Sequence, residues 1–153
     1  MKTKITFRGK DFEADQDVNK DIYARLTSDA DEQNQDHTIK VYLNNRYKYF
    51  SNELIDFLNS TGIDWTKENE TFHCEIDEKQ TIIEGWFDIV GKVLSNEKVT
   101  SFYWGDESYT TNIHFTNNSK HGMRPEFKDN ETFRFDFAIL LQKEMWFEKT
   151  TNS

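Results

Sequence analysis

The segment from Thr132 to Leu141 places a large apolar side chain at every second position. Successive side chains of a β-strand point to opposite faces of a sheet, so this alternation predicts a strand with one buried face and one exposed face. The polar residues Arg134 and Asp136 are expected on the exposed face. The residues expected on the buried face are Phe133, Phe135, Phe137, Ile139 and Leu141.

The core of such a chain has to be mainly aromatic. Only 35% of the 153 residues are hydrophobic, but 15% are Phe, Tyr or Trp, and 31% are charged, with a net charge of -9. High net charge is typical of disordered chains, whereas this aromatic content can form a core. The length corresponds to about one domain. We therefore expect a single globular domain over residues 1–149 and a frayed tail over residues 150–153.

Periodicity and turn residues predict the other elements of secondary structure. Further strands are predicted over Thr3–Phe7, Asp11–Ala14, Thr38–Leu43, Thr71–Ile76, Val99–Trp104 and Tyr109–Phe115. Helices are predicted over Asp15–Leu26, with Asp15 or Asp17 as the N-cap, and from the cap Ser51 to the stop Gly62. The polar segments 28–36, 64–69 and 117–130 are predicted to be loops, and Met145, Trp146 and Phe147 to extend the last strand.

Residues Glu78–Ser95 carry a strong periodic pattern whose interpretation stays open. On a helical wheel the apolar residues of this segment fall within about 160°, which predicts an amphipathic helix. Gly85 and Gly91 weaken a helix by about 1 kcal/mol each, and the many Ile and Val residues favour a strand. Helix is our prediction and a long strand is the alternative.

These elements indicate an α+β fold. Strands and helices in mixed order predict a single domain with a mixed but mainly antiparallel sheet of about six strands, packed with two to three helices. The sequence contains no internal repeat.

No motif in the chain specifies a reaction. Cys74 follows His73 directly, but neighbouring residues of a strand face opposite sides, so the two cannot form a catalytic dyad. Cys74 is instead expected to be a buried thiol beside Phe72 and Ile76. The histidines lack zinc-site spacing and no glycine-rich phosphate loop occurs. We therefore expect no catalytic residue, no metal and no cofactor.

The compartment and the partner class follow from composition. One cysteine cannot form an internal disulfide, which favours a reducing compartment, and no apolar run reaches the roughly 18 residues that span a bilayer. We expect a cytoplasmic protein that does not bind membranes. A net negative charge repels phosphates, so direct nucleic-acid binding is disfavoured. The aromatic and basic stretch over residues 42–50 is better explained as core.

The acidic residues suggest a basic protein as partner. Residues 11–36 contain nine acids against Lys20 and Arg25, and such a face attracts a basic surface and accelerates its association. Aromatic side chains beside acids are common anchors of protein interfaces. The predicted partner-binding residues are Asp17, Asp21, Asp31, Glu32, Trp104, Asp106 and Glu107.

We therefore expect a small acidic protein that binds and neutralises another protein, as bacterial immunity proteins and phage-encoded inhibitors do. This is an analogy of type and is not a resemblance in sequence. Two alternatives remain. The first is an enzyme with an unrecognised polar site drawn from His73, His114, His121, Glu84 and Asp88. The second is a small-ligand or structural module with an aromatic-lined pocket or interface. The oligomeric state stays open.

Overall fold

Within the residues that the computed structural model describes, 2–95, 101–117 and 119–143, seven strands form one sheet with helices packed against it. The strands are β1 (Lys2–Phe7), β2 (Lys10–Asp15), β3 (Glu70–Glu75), β4 (Gln80–Val93), β5 (Ser101–Gly105), β6 (Tyr109–Asn117) and β7 (Thr132–Gln142). The helices are α1 (Gln16–Arg25), the single-turn α2 (Asp29–Glu32), α3 (His37–Tyr49) and α4 (Asn52–Thr61). A short 3₁₀ helix covers Pro125–Phe127.

The strand order is β1-β2-β4-β7-β6-β5, with β3 beside the first half of β4. All described pairings are antiparallel. β4 pairs with β7 along one edge, so β3 and β2 share its other edge. This architecture confirms the prediction of a single-domain α+β fold with a mainly antiparallel sheet.

The aromatic face of the sheet forms the core, as the alternation in β7 predicts. Phe133, Phe135, Phe137, Ile139 and Leu141 are all buried. Phe50, which follows α3, packs edge-on against Phe135 and Phe137, with ring centroids 6.3 Å and 5.2 Å apart. Helices α3 and α4 therefore lie on this face, and ring contacts hold them there.

The prediction of a helix over residues 78–95 is wrong, and the alternative, a long strand, is correct. β4 is fourteen residues long and is buried without interruption from Gly85 to Gly91. Both of its faces are covered in this stretch, so the alternation that marks a half-exposed strand disappears. Periodicity alone does not distinguish such a continuous apolar run from the apolar face of a helix.

The two glycines that argued against the helix are required by the strand. A Cβ on Gly85 would lie 2.6 Å from the Phe137 ring, which occupies the space of the missing side chain. Gly91 has a φ of +148°, and a Cβ there would lie 1.9 Å from the carbonyl oxygen of Glu13 on β2. Gly91 thus permits β2 to pair closely with β4.

In the gap between β3 and β2, none of the described strands lies beside the outer edge of β4. Side chains form hydrogen bonds with its backbone there. Asn19 of α1 accepts a hydrogen bond from the Val90 N–H at 2.8 Å and donates one to the Val90 carbonyl at 3.1 Å. Asn69 accepts from the Asp88 N–H, and the Tyr23 hydroxyl donates to the Asp88 carbonyl, both at 2.8 Å. These bonds satisfy buried backbone groups and attach α1 to the sheet.

The predicted strand over Thr38–Leu43 is wrong, because these residues begin the helix α3. Asp36 caps this helix by accepting the Ile39 N–H at 3.0 Å. The buried residues Ile39, Tyr42 and Tyr49 recur at helical spacing, which the alternation of the first six residues concealed. The segment 28–36, predicted as a loop, includes the single turn of α2.

Other predictions are confirmed at the level of elements. Asp15 caps α1, Ser51 caps α4, and Gly62 ends α4 in a left-handed conformation with a φ of +92°. Two hairpins form from predicted strands: residues 3–7 pair with 11–14, and residues 101–104 pair with 109–115. Val99, Thr100, the residues Met145–Phe147 and the domain boundary at 149 lie outside the described residues.

Replacing Asn19 by Ala should strongly destabilise the fold. The substitution leaves the buried N–H and carbonyl of Val90 without their Asn19 partner, and each unsatisfied buried group costs about 1–3 kcal/mol. The measurement is the free energy of unfolding from urea titration. Lys20→Ala, one position along on the exposed side of α1, is the matched control and should change stability by less than about 0.5 kcal/mol. Equal stability of the two variants would contradict the role of Asn19.

Candidate functional site

The predicted partner-binding acids of the first two helices all lie on the surface. Helix α1 buries Ile22 and Tyr23 against the core, which turns its acidic side outward. Arg25 forms an exposed ion pair with one of these acids, Asp21, at 3.2 Å. The four exposed carboxylates are Asp17 and Asp21 on α1 and Asp31 and Glu32 on α2.

Two of these acids border a concave site. A cleft of about 400 Å³ lies between the α1–α2 segment and the loop that precedes β3. We call it the acidic cleft; Leu26, Ser28, Asp31 and Glu32 line one side, and Thr66 and Lys67 the other. A second cleft of about 400 Å³ shares Lys67 and is bordered by α1 and Trp65. Asp17 and Asp21 line neither cleft.

A buried carboxylate holds the wall of the acidic cleft in place. Glu68 is completely buried and accepts hydrogen bonds from the Ser28 hydroxyl at 2.8 Å and from the Tyr42 hydroxyl. Arg46 of α3 forms an ion pair with it at 3.0 Å and also donates to the Thr66 carbonyl. Burial raises the pKa of Glu68 above its ordinary value, although Arg46 and the hydrogen bonds lower it.

Sequence reasoning missed this cluster. Glu68 stands in a polar segment that predicts an exposed loop, and nothing near it in the sequence distinguishes it from the other acids of the chain. Its partners Tyr42 and Arg46 lie four residues apart and face it because α3 is a helix. The predicted strand ends at Leu43, before Arg46, so it assigns the two side chains no common direction.

The predicted anchors of the β5–β6 hairpin are largely engaged within the protein. The Trp104 indole N–H donates to the Tyr49 carbonyl at 2.8 Å, and the Arg8 guanidinium lies 5.3 Å from the Trp104 ring. Asp106 accepts hydrogen bonds from the Ser108 N–H and hydroxyl, which lower its pKa. Asp106 therefore shapes the turn, and Glu107 is exposed beside it.

Helix α4 separates the two predicted parts of the partner-binding site. Trp104 lies beside the start of α4, because Arg8 contacts both Trp104 and Glu53. Helix α1 is attached to the other end, where Gln16 donates to the Ser60 carbonyl at 2.6 Å. Ten helical residues span about 15 Å. The structure does not join the acids of α1 and α2 to the hairpin in one compact site.

The residues considered for an enzyme fall into two groups. His73 faces α3 and pairs with Asp36 at 2.8 Å. Glu84, Asp88, His114 and His121 all lie on or beside the sheet face that points away from the aromatic core, which we call the open face. On that face His114 lies 3.4 Å from Asp136. The four residues do not border either of the clefts described above.

Arg134 is buried, which contradicts its predicted exposure. It forms two hydrogen bonds with the carboxylate of Asp88, at 2.9 Å and 3.1 Å, and lies 4.4 Å from the ring of Trp86. Burial raises the pKa of Asp88, whereas Arg134 lowers it. The open face is thus covered at this end, where His121 and Gly122 also contact Trp86. Asp136 is half-buried.

Cys74 is exposed, so the prediction of a buried thiol is wrong. The strand and its facing pattern are as expected, with Phe72, Cys74 and Ile76 on one side, but this side belongs to the open face. Phe72 is 42% exposed and Ile76 is 50% exposed. The buried side of β3 carries Thr71, whose N–H donates to Asp29 of α2 at 2.7 Å.

No group of three or more His, Cys, Asp or Glu side chains within residues 2–95, 101–117 and 119–143 is placed to hold a metal ion. Over the same residues, no helix is long and apolar enough to cross a membrane.

The thiol of Cys74 should react rapidly with a maleimide in the native protein. Its exposure on the open face leaves the sulfur accessible, so native and urea-unfolded protein should react at similar rates. Mass spectrometry over a time course gives both rates. Cys74→Ser should change the free energy of unfolding by less than about 0.5 kcal/mol, as expected of an exposed site. Strong protection of the native thiol would show that the open face is covered.

Asp36 should make stability depend on pH in the acidic range. Although partial burial raises its pKa, hydrogen bonds from His73 and from the Ile39 N–H lower it below the ordinary value of 3.8. A carboxylate with a lowered pKa stabilises the folded state above its unfolded pKa, and this stability is lost as the pH falls through the folded value. Asp36→Asn keeps a good N-cap but removes the charge.

Urea titrations between neutral pH and about pH 2 test this role of Asp36. We expect Asp36→Asn to be less stable than the native protein at neutral pH and the difference to shrink as the pH falls below the ordinary aspartate range. A difference that stays constant over the whole range would assign the effect to packing instead of charge.

Comparisons of this chain with known protein families, with curated proteins and with solved structures find no match.

Proposed function

We propose that this protein binds a basic protein in the cytoplasm and neutralises it by covering part of its surface. The observation that supports this proposal is the position of Asp31 and Glu32 at the rim of the acidic cleft. Carboxylates at the edge of this cleft and Leu26 in its wall suit a Lys or Arg side chain of a partner. The alkyl stem packs on the apolar wall and the charged head meets the carboxylates. The Lys67 ammonium, which also lines the cleft, is engaged by the Tyr23 carbonyl, to which it donates at 2.7 Å.

The charge around the cleft favours the same kind of partner. Residues 11–36 carry a net charge of -7, from nine acids against two bases, and the four predicted acids of α1 and α2 are exposed. Acidic surfaces of this kind attract a basic partner over a distance of about one Debye length and accelerate association. Asp17 and Asp21 would act in this way, since they do not line the cleft.

The walls of the cleft are fixed before a partner arrives. Glu68 follows Thr66 and Lys67, which line one side of the cleft. It binds Ser28 of the other side and Tyr42 and Arg46 of α3. A rigid site binds with a smaller loss of conformational entropy than a flexible one. This feature supports binding to a protein surface by a preformed site, as in inhibitors of the immunity type.

The experiment compares charge reversal at the cleft with charge reversal elsewhere. A tagged protein captures basic proteins from its native host, and association with each purified candidate is then measured at low and high salt. Asp31→Lys combined with Glu32→Lys should slow association by at least roughly tenfold at low salt and flatten its salt dependence. The captured protein should lose activity when it is mixed with the native protein and keep it with the variant.

The matched control is Glu78→Lys combined with Glu131→Lys, which changes the net charge equally at two exposed positions outside the cleft. Association with this control should stay within about threefold of the native rate. Association of both variants at the native rate would contradict the acidic cleft as the binding site. Glu107→Lys tests the predicted contribution of the hairpin separately, because Glu107 is exposed whereas Asp106 holds the turn together.

A further inference from the structure

The open face of the sheet presents a row of apolar side chains to solvent. Strand register aligns Cys74 of β3 with Ile82 of β4 and Leu140 of β7. The next row consists of Phe72, Glu84 and Ala138. Ile82, Ala138 and Leu140 are partly exposed, whereas Phe72 is 42% exposed and Ile76, just beyond the end of β3, is 50% exposed.

This apolar surface is limited to one end of the open face. At the other end Arg134, Trp86 and the segment around Gly122 cover the sheet. The exposed Phe72 and Ile76 adjoin partly exposed apolar side chains of β4 and β7, and a contiguous apolar patch of this kind is a feature of interaction sites. The row arises where apolar residues of neighbouring strands coincide on this side, namely Phe72 and Cys74 of β3 with Ala138 and Leu140 of β7.

The charges on the open face identify the kind of surface that fits it. Glu84 stands within the apolar rows, and Asp136 is its diagonal neighbour on the adjacent strand. Burial raises the pKa of Asp136, and the carboxylates of Asp88 and Glu84 raise it further, although His114 and Arg134 lower it. The Arg134 guanidinium is already paired with Asp88. A cation brought to Glu84 and Asp136 by a partner would relieve the repulsion between them.

We propose that the open face is a second docking surface, which binds a protein surface with basic side chains around exposed aliphatic or aromatic ones. Its apolar rows supply the centre of the interface, and Glu84 and Asp136 bind the cations. The proposal does not depend on the function assigned to the acidic cleft, since the two surfaces share no residue.

A second copy of the chain fits this surface poorly. A twofold symmetric contact places the same patch on both partners, so it brings the carboxylates Glu84 and Asp136 of both copies into one interface. Like charges in such a contact are destabilising. The acids therefore favour a basic partner over self-association.

The test uses a peptide of alternating lysine and leucine as the probe and the full-length protein as the target. Nuclear magnetic resonance of isotope-labelled protein maps the binding site, and maleimide reactivity of Cys74 reports coverage of the face. A lysine–serine peptide tests whether charge alone suffices, and a glutamate–leucine peptide tests whether apolar contacts alone suffice. Measurements at physiological salt screen charges more than about 8 Å away.

We expect the lysine–leucine peptide to shift resonances of β3, β4 and β7 and to protect Cys74 from the maleimide. Phe72→Ser and Glu84→Lys should each weaken binding by roughly tenfold. The first removes an apolar contact with the leucines of the peptide, and the second removes a carboxylate that binds its lysines. Glu131→Lys makes the same change of charge as Glu84→Lys at an exposed position outside these rows and should bind within about twofold of the native protein. Circular dichroism confirms that the variants are folded.

Several outcomes would overturn the proposal. Equal binding of either comparison peptide would show that the face does not combine charge with apolar recognition. Resonance shifts confined to α1 and α2 would place the peptide at the acidic cleft. A Cys74 thiol that is protected in the free monomer would show that another part of the same chain covers the face. A stable dimer with cross-linked Cys74 thiols would assign the face to a second copy.

Discussion

The hydrogen bonding of β4 is the constraint on which the rest of this structure depends. This strand contacts β7 along one edge and both β3 and β2 along the other, so every part of the sheet is connected through it. The gap between β3 and β2 leaves the backbone of Asp88 and Val90 without a neighbouring strand. Asn19, Tyr23 and Asn69 fill this gap with side-chain hydrogen bonds. The position of α1, and with it one side of the acidic cleft, follows from the need to satisfy these buried groups.

Among the residues that the structure describes, charge is buried in two places, and in each the ion pair joins elements that are distant in sequence. Glu68 and Arg46 connect the loop before β3 to α3, and Asp88 and Arg134 connect β4 to β7 on the open face. Removing one partner of such a pair leaves an uncompensated buried charge, which is strongly destabilising. The chain therefore uses its many charged residues as structural partners as well as surface groups. Acids that are buried in these ion pairs are not accessible to a binding partner, whereas the surface acids are.

Two accessible surfaces result, and they differ in chemistry. The acidic cleft is concave and carries Asp31 and Glu32 at its rim, which suits single basic side chains. The open face is a sheet surface with apolar rows around Glu84, which suits a broader contact. Both favour a basic protein, so the proposed functions agree in the class of partner while they remain separately testable. The indole N–H and the ring of Trp104 are already engaged by Tyr49 and Arg8, so they are less available to a partner.

The sequence by itself determined the α+β class, the aromatic face of β7, the cap Ser51, and the exposure of Asp17, Asp21, Asp31 and Glu32, and it narrowed the cap of α1 to Asp15 or Asp17. These features depend on local rules, namely alternation, capping and the solvation of charge. The tertiary structure alone decided that residues 80–93 form a strand, that residues 37–49 form a helix, that Arg134 is buried and that Cys74 is exposed. In every case but the helix over 37–49, the outcome depends on what covers the second face of a strand. A sequence shows that one face is apolar, but whether the opposite face meets solvent, a loop or an ion pair is decided by residues that only the fold brings near.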